Sequence, residues 1–250
     1  MRESQIKENQ WLASVGRTDV GRSAYADLLQ GYRFSVCQTG DAFENALDVR
    51  RRVYNGTCGY ELSVPDGYDH RSWLLLAEHV PSEEAVGTMR ITSRAGGRLE
   101  AEEYLSLPPR LRSPRTIEVN RFAVVPAHAK LDRFPAAVSF GLFKLMVKFA
   151  IERLGALHVI LCAREERVWA FEWLRFQRSG MVTRYAKLGN VDYELLTLDL
   201  TTRPASDEDQ AVSQFLFETE HPEIKMPLMA PALSQVVENV SQTLVHAMSA

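Results

Sequence analysis

The sequence predicts an α+β (mixed α/β) domain in which a central, mostly antiparallel sheet is flanked by helices. Short apolar runs separated by turn residues fill the first half of the chain, as in hairpins of antiparallel strands. One long segment, residues 136–154, has apolar residues at helical spacing. A strand, a helix and two more strands follow it, so both kinds of element belong to one domain.

The first elements are a strand and a helix. A strand is predicted over residues 32–37, and Asp41 with Glu44 three residues later resembles a capping box, which places a helix start there. At helical spacing, one face of this helix and its continuation carries Phe43, Leu47, Arg50 and Tyr54. A charged arginine therefore lies on an otherwise apolar face. A glycine- and proline-containing loop is predicted to follow, from Gly56 to Gly67.

The middle of the chain predicts a hairpin and a strong single strand. Residues 73–77 and 86–92 form the strands of the hairpin, with a turn at 81–84. The single strand covers residues 117–125 and ends at Pro126, which cannot donate to a sheet ladder.

The long helix over 136–154 has a buried stripe of Val138, Leu142, Leu145 and Phe149. After it we predict a strand at 158–162, a helix at 167–178, and paired strands at 181–185 and 193–200. The composition changes after Thr202. We therefore expect a polar arm over 1–30, the domain over 31–202, and a C-terminal extension over 203–250 with helices at 208–218 and 233–245.

Composition excludes several classes of protein. The formal net charge of −3 argues against a nucleic-acid binder. The three cysteines are far apart and the six histidines show no ligand spacing, so neither a disulfide framework nor a metal site is predicted. No apolar run reaches the ~20 residues of a membrane span. The N-terminus carries no apolar secretory segment, and we expect a cytoplasmic protein.

The segment 118–122 places two opposite charges, Glu118 and Arg121, inside an apolar strand. Buried charges must be paired, exposed or functional, so this is either a structural ion pair at a sheet surface or part of a site. On a regular strand the two side chains point to opposite faces. A β-bulge near Asn120 would turn both to one side, and we predict such a bulge.

Taken alone, two further segments are weaker evidence for a functional site. Asp66-Gly67-Tyr68-Asp69 has the residue types of a simple turn. Gly87-Thr88-Met89-Arg90 places an arginine on a hairpin strand, where the wet face often carries charge.

Together, in this order and rough spacing, these segments resemble the acyl-homoserine lactone (autoinducer) synthases and the related long-chain N-acyl amino acid synthases. The motifs that carry the resemblance are Arg50 with Tyr54, Gly59-Tyr60, Asp66 to Asp69, Gly87 to Arg90, and Glu118 to Phe122. The resemblance covers about residues 32–200 and implies the GNAT-like acyltransferase fold. Autoinducer synthases have tryptophan at the position of Tyr60 and lack the segment after Thr202. These departures favour the N-acyl amino acid synthase branch.

The donor is expected to be an acyl carrier protein thioester, with no tightly bound cofactor. Coenzyme-A-dependent GNAT enzymes usually hold the pyrophosphate on a glycine-containing loop after the bulged strand. Residues 125–134 contain no glycine here. A basic surface for the acidic carrier, or else a merely solvated helix face, would be formed by Lys130, Arg133, Lys144 and Lys148.

The resemblance and the chemistry of the residues assign roles at the site. Glu118 would take a proton from the amine through a water, next to Arg121 as the second catalytic residue. The arginines would hold the acceptor's carboxylate or organise the acidic loop. Residues assigned to acceptor binding are Arg50, Tyr60, Asp66, Asp69, Arg90 and Phe122. Candidate walls of an acyl tunnel, or else ordinary core, are Leu142, Leu145, Met146, Phe149, Trp169 and Trp173.

Three functions stay open from the sequence. The leading one is an N-acyltransferase that moves a long-chain fatty acyl group from acyl carrier protein to the amine of an amino acid. The second is an autoinducer synthase that uses S-adenosylmethionine as acceptor. The third is a non-catalytic binding module that acts through its C-terminal helices. A peripheral membrane contact through the apolar face of helix 233–245 also stays open, although that helix has almost no Lys or Arg.

Overall fold

The computed structural model describes residues 25, 27–129, 136–202 and 210–228. Within them, eight strands form one sheet: β1 (Tyr32–Val36), β2 (Ser72–His79), β3 (Glu84–Ser93), β4 (Thr116–Val124), β5 (His158–Arg164), β6 (Gln177–Arg184), β7 (Asp192–Asp199) and β8 (Ile224–Lys225). The longer α-helices are α1 (Gly40–Arg50), α2 (Ala137–Glu152), α3 (Glu165–Trp173) and α4 (Gln210–Phe217).

Short helical segments fill the connections. A π-helix over Arg51–Thr57 continues α1, and Pro126–Ala129 forms one α-helical turn after β4. Turns of 3₁₀-helix occupy Asp69–Arg71, Arg94–Gly96, Glu100–Glu103, Pro109–Arg112 and Ala186–Leu188.

The strands lie in the order β6-β7-β5-β4-β3-β2-β1-β8. Neighbours are antiparallel except for the pairs β4–β5 and β1–β8, which confirms the predicted mixed domain with a mostly antiparallel sheet. The parallel pair in the middle is short, because only Thr116–Glu118 of β4 is in register with β5. Beyond these residues the two strands no longer pair, and a cleft opens between them.

The core lies mainly between the sheet and α2, whose residues are nearly all buried. Two glycines let this helix approach the sheet. A Cβ at Gly141 would lie 2.1 Å from the ring of Phe34 on β1. A Cβ at Gly87 on β3 would lie 2.5 Å from the side chain of Val138 on α2. Since real Cβ atoms do not approach other atoms this closely, side chains at either glycine would push α2 away from the sheet.

Some predicted element bounds are wrong. Thr39, not Asp41, caps α1, because its hydroxyl accepts from the backbone N–H of Ala42 at 3.2 Å. The predicted continuation of α1 through Tyr54 is a π-helix over Arg51–Thr57, and it extends past Gly56, where the loop was predicted to begin. The helix predicted over 167–178 ends at Trp173. Arg175 then adopts a left-handed φ of 73°, and the chain enters β6.

The described part of the C-terminal segment packs on the domain. The ring of Phe215 on α4 lies 5.4 Å from that of Phe140 on α2. The two-residue strand β8, which the sequence did not predict, extends the sheet beside β1. The helix predicted over 233–245 lies outside the described residues. No described helix is both long and apolar enough to cross a bilayer.

Candidate active site

A bulge in β4 shapes the site. Thr88 of β3 pairs with Ala123 and Arg90 pairs with Asn120, so one residue of β3 faces two of β4, Arg121 and Phe122. Arg121 takes a left-handed φ of 50°. Non-glycine residues seldom adopt this conformation, and it is common in bulges next to sites. The bulge predicted near Asn120 is confirmed.

The bulge brings Arg121 to the same side as its neighbour Asn120. The two oxygens of Glu100 accept hydrogen bonds from both, at 2.7 Å from Arg121 and 2.9 Å from Asn120. Glu118 lies on this side too, since both of its oxygens accept from the backbone N–H of Ala101, at 3.2 and 3.3 Å. The charged side chains of 118–121 therefore converge.

Around them lies a network that we call the buried charge cluster, formed by Arg50, Asp66, Asp69, Arg90, Glu100 and Arg121. Arg50 donates to Asp69 at 2.6 Å and lies 3.3 Å from Asp66. Arg90 donates to Asp69 at 3.2 Å, to Glu100 at 2.5 Å, and also to Asp66. Each arginine of the cluster thus has at least two carboxylates as ion-pair partners. Buried charges require such partners because water is not available to solvate them.

The acidic loop is held in place by this cluster. Arg121 donates to Asp66 at 2.8 Å, and Asp69 accepts from the backbone N–H of Asp66 at 2.6 Å. Burial opposes ionisation of Asp66, but Arg90, Arg121 and Arg50 outweigh it and hold the pKa of Asp66 well below its usual value. Arg50, Arg90 and Arg121 therefore all bind Asp66 of the acidic loop, a contact that fits one of the two roles predicted for them.

Glu100 is the member of this site that the sequence did not reveal. It bridges Arg90, Arg121 and Asn120, and it is 8% exposed. In the sequence it stands in an acidic run with Glu102 and Glu103, a pattern that is typical of a solvated turn. Its role differs from those of Glu102 and Glu103 only because the 3₁₀ turn brings the Glu100 side chain to β4.

Glu118 has the environment of a proton acceptor. It is 2% exposed. Burial and the negative charge of Glu100 raise its pKa to about 7, against the opposing effects of Arg90 and the N–H of Ala101. A carboxylate with this pKa exchanges protons near neutral pH.

The cleft between β4 and β5 gives access to Glu118. It encloses about 860 Å³ of empty space, including the solvent at its mouth. Its walls combine β4 and β5 with side chains from α2, α3 and the loop before β7. The lining residues are Tyr54, Glu100, Glu118, Val119, Asn120, Arg121, Phe122, Phe143, Leu161, Cys162, Ala163, Arg164, Arg167, Phe171, Tyr185, Leu188 and Tyr193.

Aromatic side chains form one wall. Phe122 lines the cleft, and its ring lies 5.4 Å from that of Phe143. The hydroxyl of Tyr54 donates to the carbonyl of Phe122 at 2.8 Å, so the π-helix is tied to the bulge. Tyr60 stacks on Tyr54 at 6.3 Å, and its hydroxyl accepts from Arg164 at 3.4 Å. Tyr60 therefore connects the loop after the π-helix to the end of β5.

Solved structures with this architecture are similar at low sequence identity, whereas no protein-family model and no curated protein matches the chain. FeeM, an N-acyl amino acid synthase from uncultured soil microbes, is 15% identical with a TM-score of 0.57, over 68% of this chain and 90% of its own. The chain has the GNAT-like acyltransferase fold.

Two acyl-homoserine lactone synthases are also similar. BjaI, a CoA-dependent enzyme solved with SAM and isopentyl-CoA, is 18% identical with a TM-score of 0.57, over 84% of this chain and 100% of its own. LasI is 14% identical with a TM-score of 0.56, over 76% of this chain and 98% of its own. At these identities the likeness establishes the fold, and the chemistry must be argued from the residues of this chain.

None of the six candidates for an acyl tunnel lines the described cleft of this GNAT-like domain. Fully buried in the main core are Leu142, Leu145, Met146 and Phe149. Trp173 packs on Phe140 at 4.6 Å, and Trp169 is 45% exposed. On α2 and α3 the side chains that line the cleft are Phe143, Arg167 and Phe171. A tunnel formed by the six predicted residues stays a prediction.

The predicted carrier-binding surface needs a correction. Lys130 and Arg133 lie outside the described residues. Lys144 is 3% exposed and donates to the carbonyls of Phe215 and Leu216, so its placement on an open basic face is wrong. The physical reason is that α4 covers this side of α2. Lys148 is ion-paired with Glu152 at 3.1 Å and Glu220 at 2.6 Å.

A metal centre and a thiol nucleophile find no support in the described part of the chain. No group of three or more His, Cys, Asp or Glu residues is placed there to hold a metal ion. Cys162 lines the cleft, but burial raises the pKa of its thiol to about 12. A thiol with this pKa stays protonated at neutral pH and is a poor nucleophile.

Proposed function

We propose that this protein is an N-acyltransferase that moves an acyl group from a thioester to the amine of a small acceptor. One observation carries the proposal: Glu118, whose pKa burial and Glu100 raise to about 7, lines the cleft where β4 and β5 part. Acyl transfer to an amine needs a proton acceptor, because an ammonium group has no lone pair for attack, and such a base is most effective when its pKa is near the working pH.

Glu118 removes the proton, directly or through a water. The acceptor binds as an ammonium ion, and its proton passes to the Glu118 carboxylate. The amine nitrogen then attacks the thioester carbonyl carbon and forms a tetrahedral intermediate. As the intermediate collapses, its nitrogen loses a second proton, the C–S bond breaks, the amide forms, and the departing thiolate takes up that proton. One proton is released to solvent overall, and no covalent intermediate with the enzyme is required.

The oxyanion of the intermediate lies against β4. Beyond Glu118 this strand has no register partner on β5, and at Arg121 and Phe122 the bulge interrupts its pairing with β3. Backbone N–H groups released from a ladder in this way are donors for a developing negative charge. The positive charge of Arg121 adds to the same potential.

We propose a long-chain acyl carrier protein thioester as the donor. The apolar cleft walls formed by Phe122, Phe143, Leu161 and Phe171 suit a fatty chain. The segment 125–136 contains no glycine for a pyrophosphate loop, which favours a carrier protein over coenzyme A. Because such donors belong to fatty acid synthesis, we place the enzyme in the cytoplasm.

We propose an amino acid as the acceptor, as in the N-acyl amino acid synthase branch. A second candidate, an autoinducer synthase, is favoured by the likeness to BjaI, which spans all of that chain. The convergence of Glu118, Arg121 and the buried charge cluster supports catalysis over a binding module, because a module has no use for a buried base.

The test is acyl transfer by the purified full-length protein. Acyl carrier protein thioesters and coenzyme A thioesters are each offered with a panel of amino acids and with S-adenosylmethionine, and products are identified by mass spectrometry. Glu118→Gln is the matched control, since it keeps the shape and removes the base. An N-acyl amino acid made by the wild type but not by the variant is the expected result.

Other outcomes discriminate the alternatives. An acyl-homoserine lactone would assign the chain to the autoinducer branch. Turnover only with the coenzyme A thioester would replace the proposed donor. No amide with any pair of substrates would refute the acyltransferase proposal.

A further inference from the structure

The cleft is lined by three arginines that differ in how their charge is neutralised. Arg121 is ion-paired with Asp66 and Glu100, at 2.8 and 2.7 Å. Arg164 is ion-paired with Glu166 at 2.8 Å. Arg167 has no ion-pair partner among the described residues, and it is exposed. One positive charge at the cleft is therefore left without a counterion in the described part of the chain.

The start of α3 directs this charge to the cleft. Arg164 ends β5 and Arg167 follows three residues later in the first turn of α3, so both lie on the helix side that faces the cleft. Phe171, one turn further on, lines the cleft as well. Trp169 does not line the cleft and is 45% exposed. The spacing of residues along α3 thus places Arg167 at the cleft.

The other arginines assigned to acceptor binding are already ion-paired within the protein. Arg50 and Arg90 are 1% and 0% exposed, and each is bound by at least two carboxylates. A substrate carboxylate could reach them only by displacing Asp66, Asp69 or Glu100, which would leave a buried charge unpaired.

We infer that Arg167, with Arg164 beside it, binds the free carboxylate of the acceptor, so that the enzyme selects an amino acid over an uncharged or cationic amine. This inference rests on the proposed function and names the group that sets its substrate class. Guanidinium binds carboxylate through two parallel N–H···O bonds, a geometry that a carboxamide reproduces poorly. The cleft then presents the carboxylate of Glu118 to the acceptor's amine and a guanidinium to its carboxylate, which matches a zwitterion.

The test compares an amino acid acceptor with its carboxamide in steady-state kinetics. The wild type should use the amino acid at a KM about 10–100-fold lower. Arg167→Gln should raise the KM for the amino acid by about the same factor, change the KM for the carboxamide little, and leave kcat within about twofold. Arg167→Lys should fall between them, because lysine keeps the charge and loses the paired geometry.

The matched control is Arg110→Gln, which removes an exposed arginine away from the cleft and should behave as the wild type. Equal use of the amino acid and the carboxamide by the wild type would overturn the inference while the acyltransferase proposal stands. A rise in the KM of the thioester donor alone would show that Arg167 binds the donor's phosphate, which also overturns it. The absence of any amide product would instead refute the proposed function.

Discussion

At the scale of single residues, the chemistry depends on how the pKa of Glu118 is set. Two effects raise it, the loss of water around a buried carboxylate and the negative charge of Glu100. Three effects lower it, the charge of Arg90 and hydrogen bonds from the backbone N–H groups of Ala101 and Glu100. The first pair prevails, and the resulting value of about 7 lets the side chain accept and release a proton at working pH.

This pKa predicts the pH dependence of the reaction. Only the ionised carboxylate accepts a proton, so kcat should rise about tenfold per pH unit below about pH 7 and level off above it. Glu118→Gln should lower kcat by about 10²–10⁴-fold and remove this rise. Both are measured as kcat against pH with saturating acceptor. A wild-type profile that is flat between pH 5 and pH 8 would remove Glu118 from the role of base.

Glu100 should tune that base without touching the substrate's reacting atoms. Its charge raises the pKa of Glu118, so Glu100→Gln should move the midpoint of the kcat profile to lower pH. Loss of this partner also leaves Arg90 less neutralised, which acts in the same direction. Glu103→Gln, in the same 3₁₀ turn but exposed, is the control and should keep the wild-type midpoint. An unchanged midpoint with Glu100→Gln would reduce Glu100 to a structural member of the cluster.

The residues of the site differ in how far the sequence reveals them. Glu118 and Arg121 stand out because charges are rare inside an apolar strand. Arg50 stands out on an apolar helix face for the same reason. Glu100 and Arg167 lie among other charged residues, where a functional side chain and a solvated one have the same local pattern. Their roles arise from contacts between distant segments, which local sequence does not encode.

At the scale of elements, apolar periodicity predicts the helices and strands that are buried on one face. It fails for elements whose conformation depends on contacts with distant segments. The strand 117–125 and the helix 136–154 are found nearly as predicted, because each has a strong apolar pattern. Residues 177–184 were partly assigned to a helix, because β6 is an edge strand with little burial and hence a weak alternation. The two-residue β8 is too short to carry a pattern.

The close contact between α2 and the sheet predicts the effect of one methyl group. Gly141→Ala would place a Cβ 2.1 Å from the ring of Phe34. Helix propensity alone favours alanine by about 1 kcal/mol, so a net loss of stability identifies the clash. We expect a destabilisation of about 1–3 kcal/mol, measured from the midpoint of urea unfolding.

Gly40→Ala is the control for this substitution. Gly40 is the first residue of α1, and a Cβ there meets nothing within 4 Å. It should be neutral or slightly stabilising. If Gly141→Ala were also neutral, the space between α2 and the ring of Phe34 would be larger than the structure shows, which would contradict the prediction.

At the scale of the whole molecule, the described part of the C-terminal segment, residues 210–228, packs on the domain. Strand β8 adds to the sheet beside β1, and α4 covers α2. Lys144 donates to two carbonyls at the end of α4, where a helix carries partial negative charge. Burial lowers the pKa of Lys144 to about 8, so the ammonium is held there at some electrostatic cost. The sequence predicts α4 but not the place where it packs, because the backbone carbonyls that accept from Lys144 leave no pattern in the sequence.

This arrangement predicts which lysine holds α4 in place. Lys144→Met leaves the carbonyls of Phe215 and Leu216 without their donor in a buried site, whereas Lys148→Met removes an ion pair whose partner Glu220 is 79% exposed. Exposed pairs contribute about 0–1 kcal/mol, and unsatisfied buried groups cost about 1–3 kcal/mol. Amide hydrogen exchange in residues 210–217 should therefore accelerate about tenfold or more with Lys144→Met and no more than a few-fold with Lys148→Met. Equal protection in both variants would mean that apolar packing of Phe215 on Phe140 holds α4, and that the buried lysine contributes nothing to its attachment.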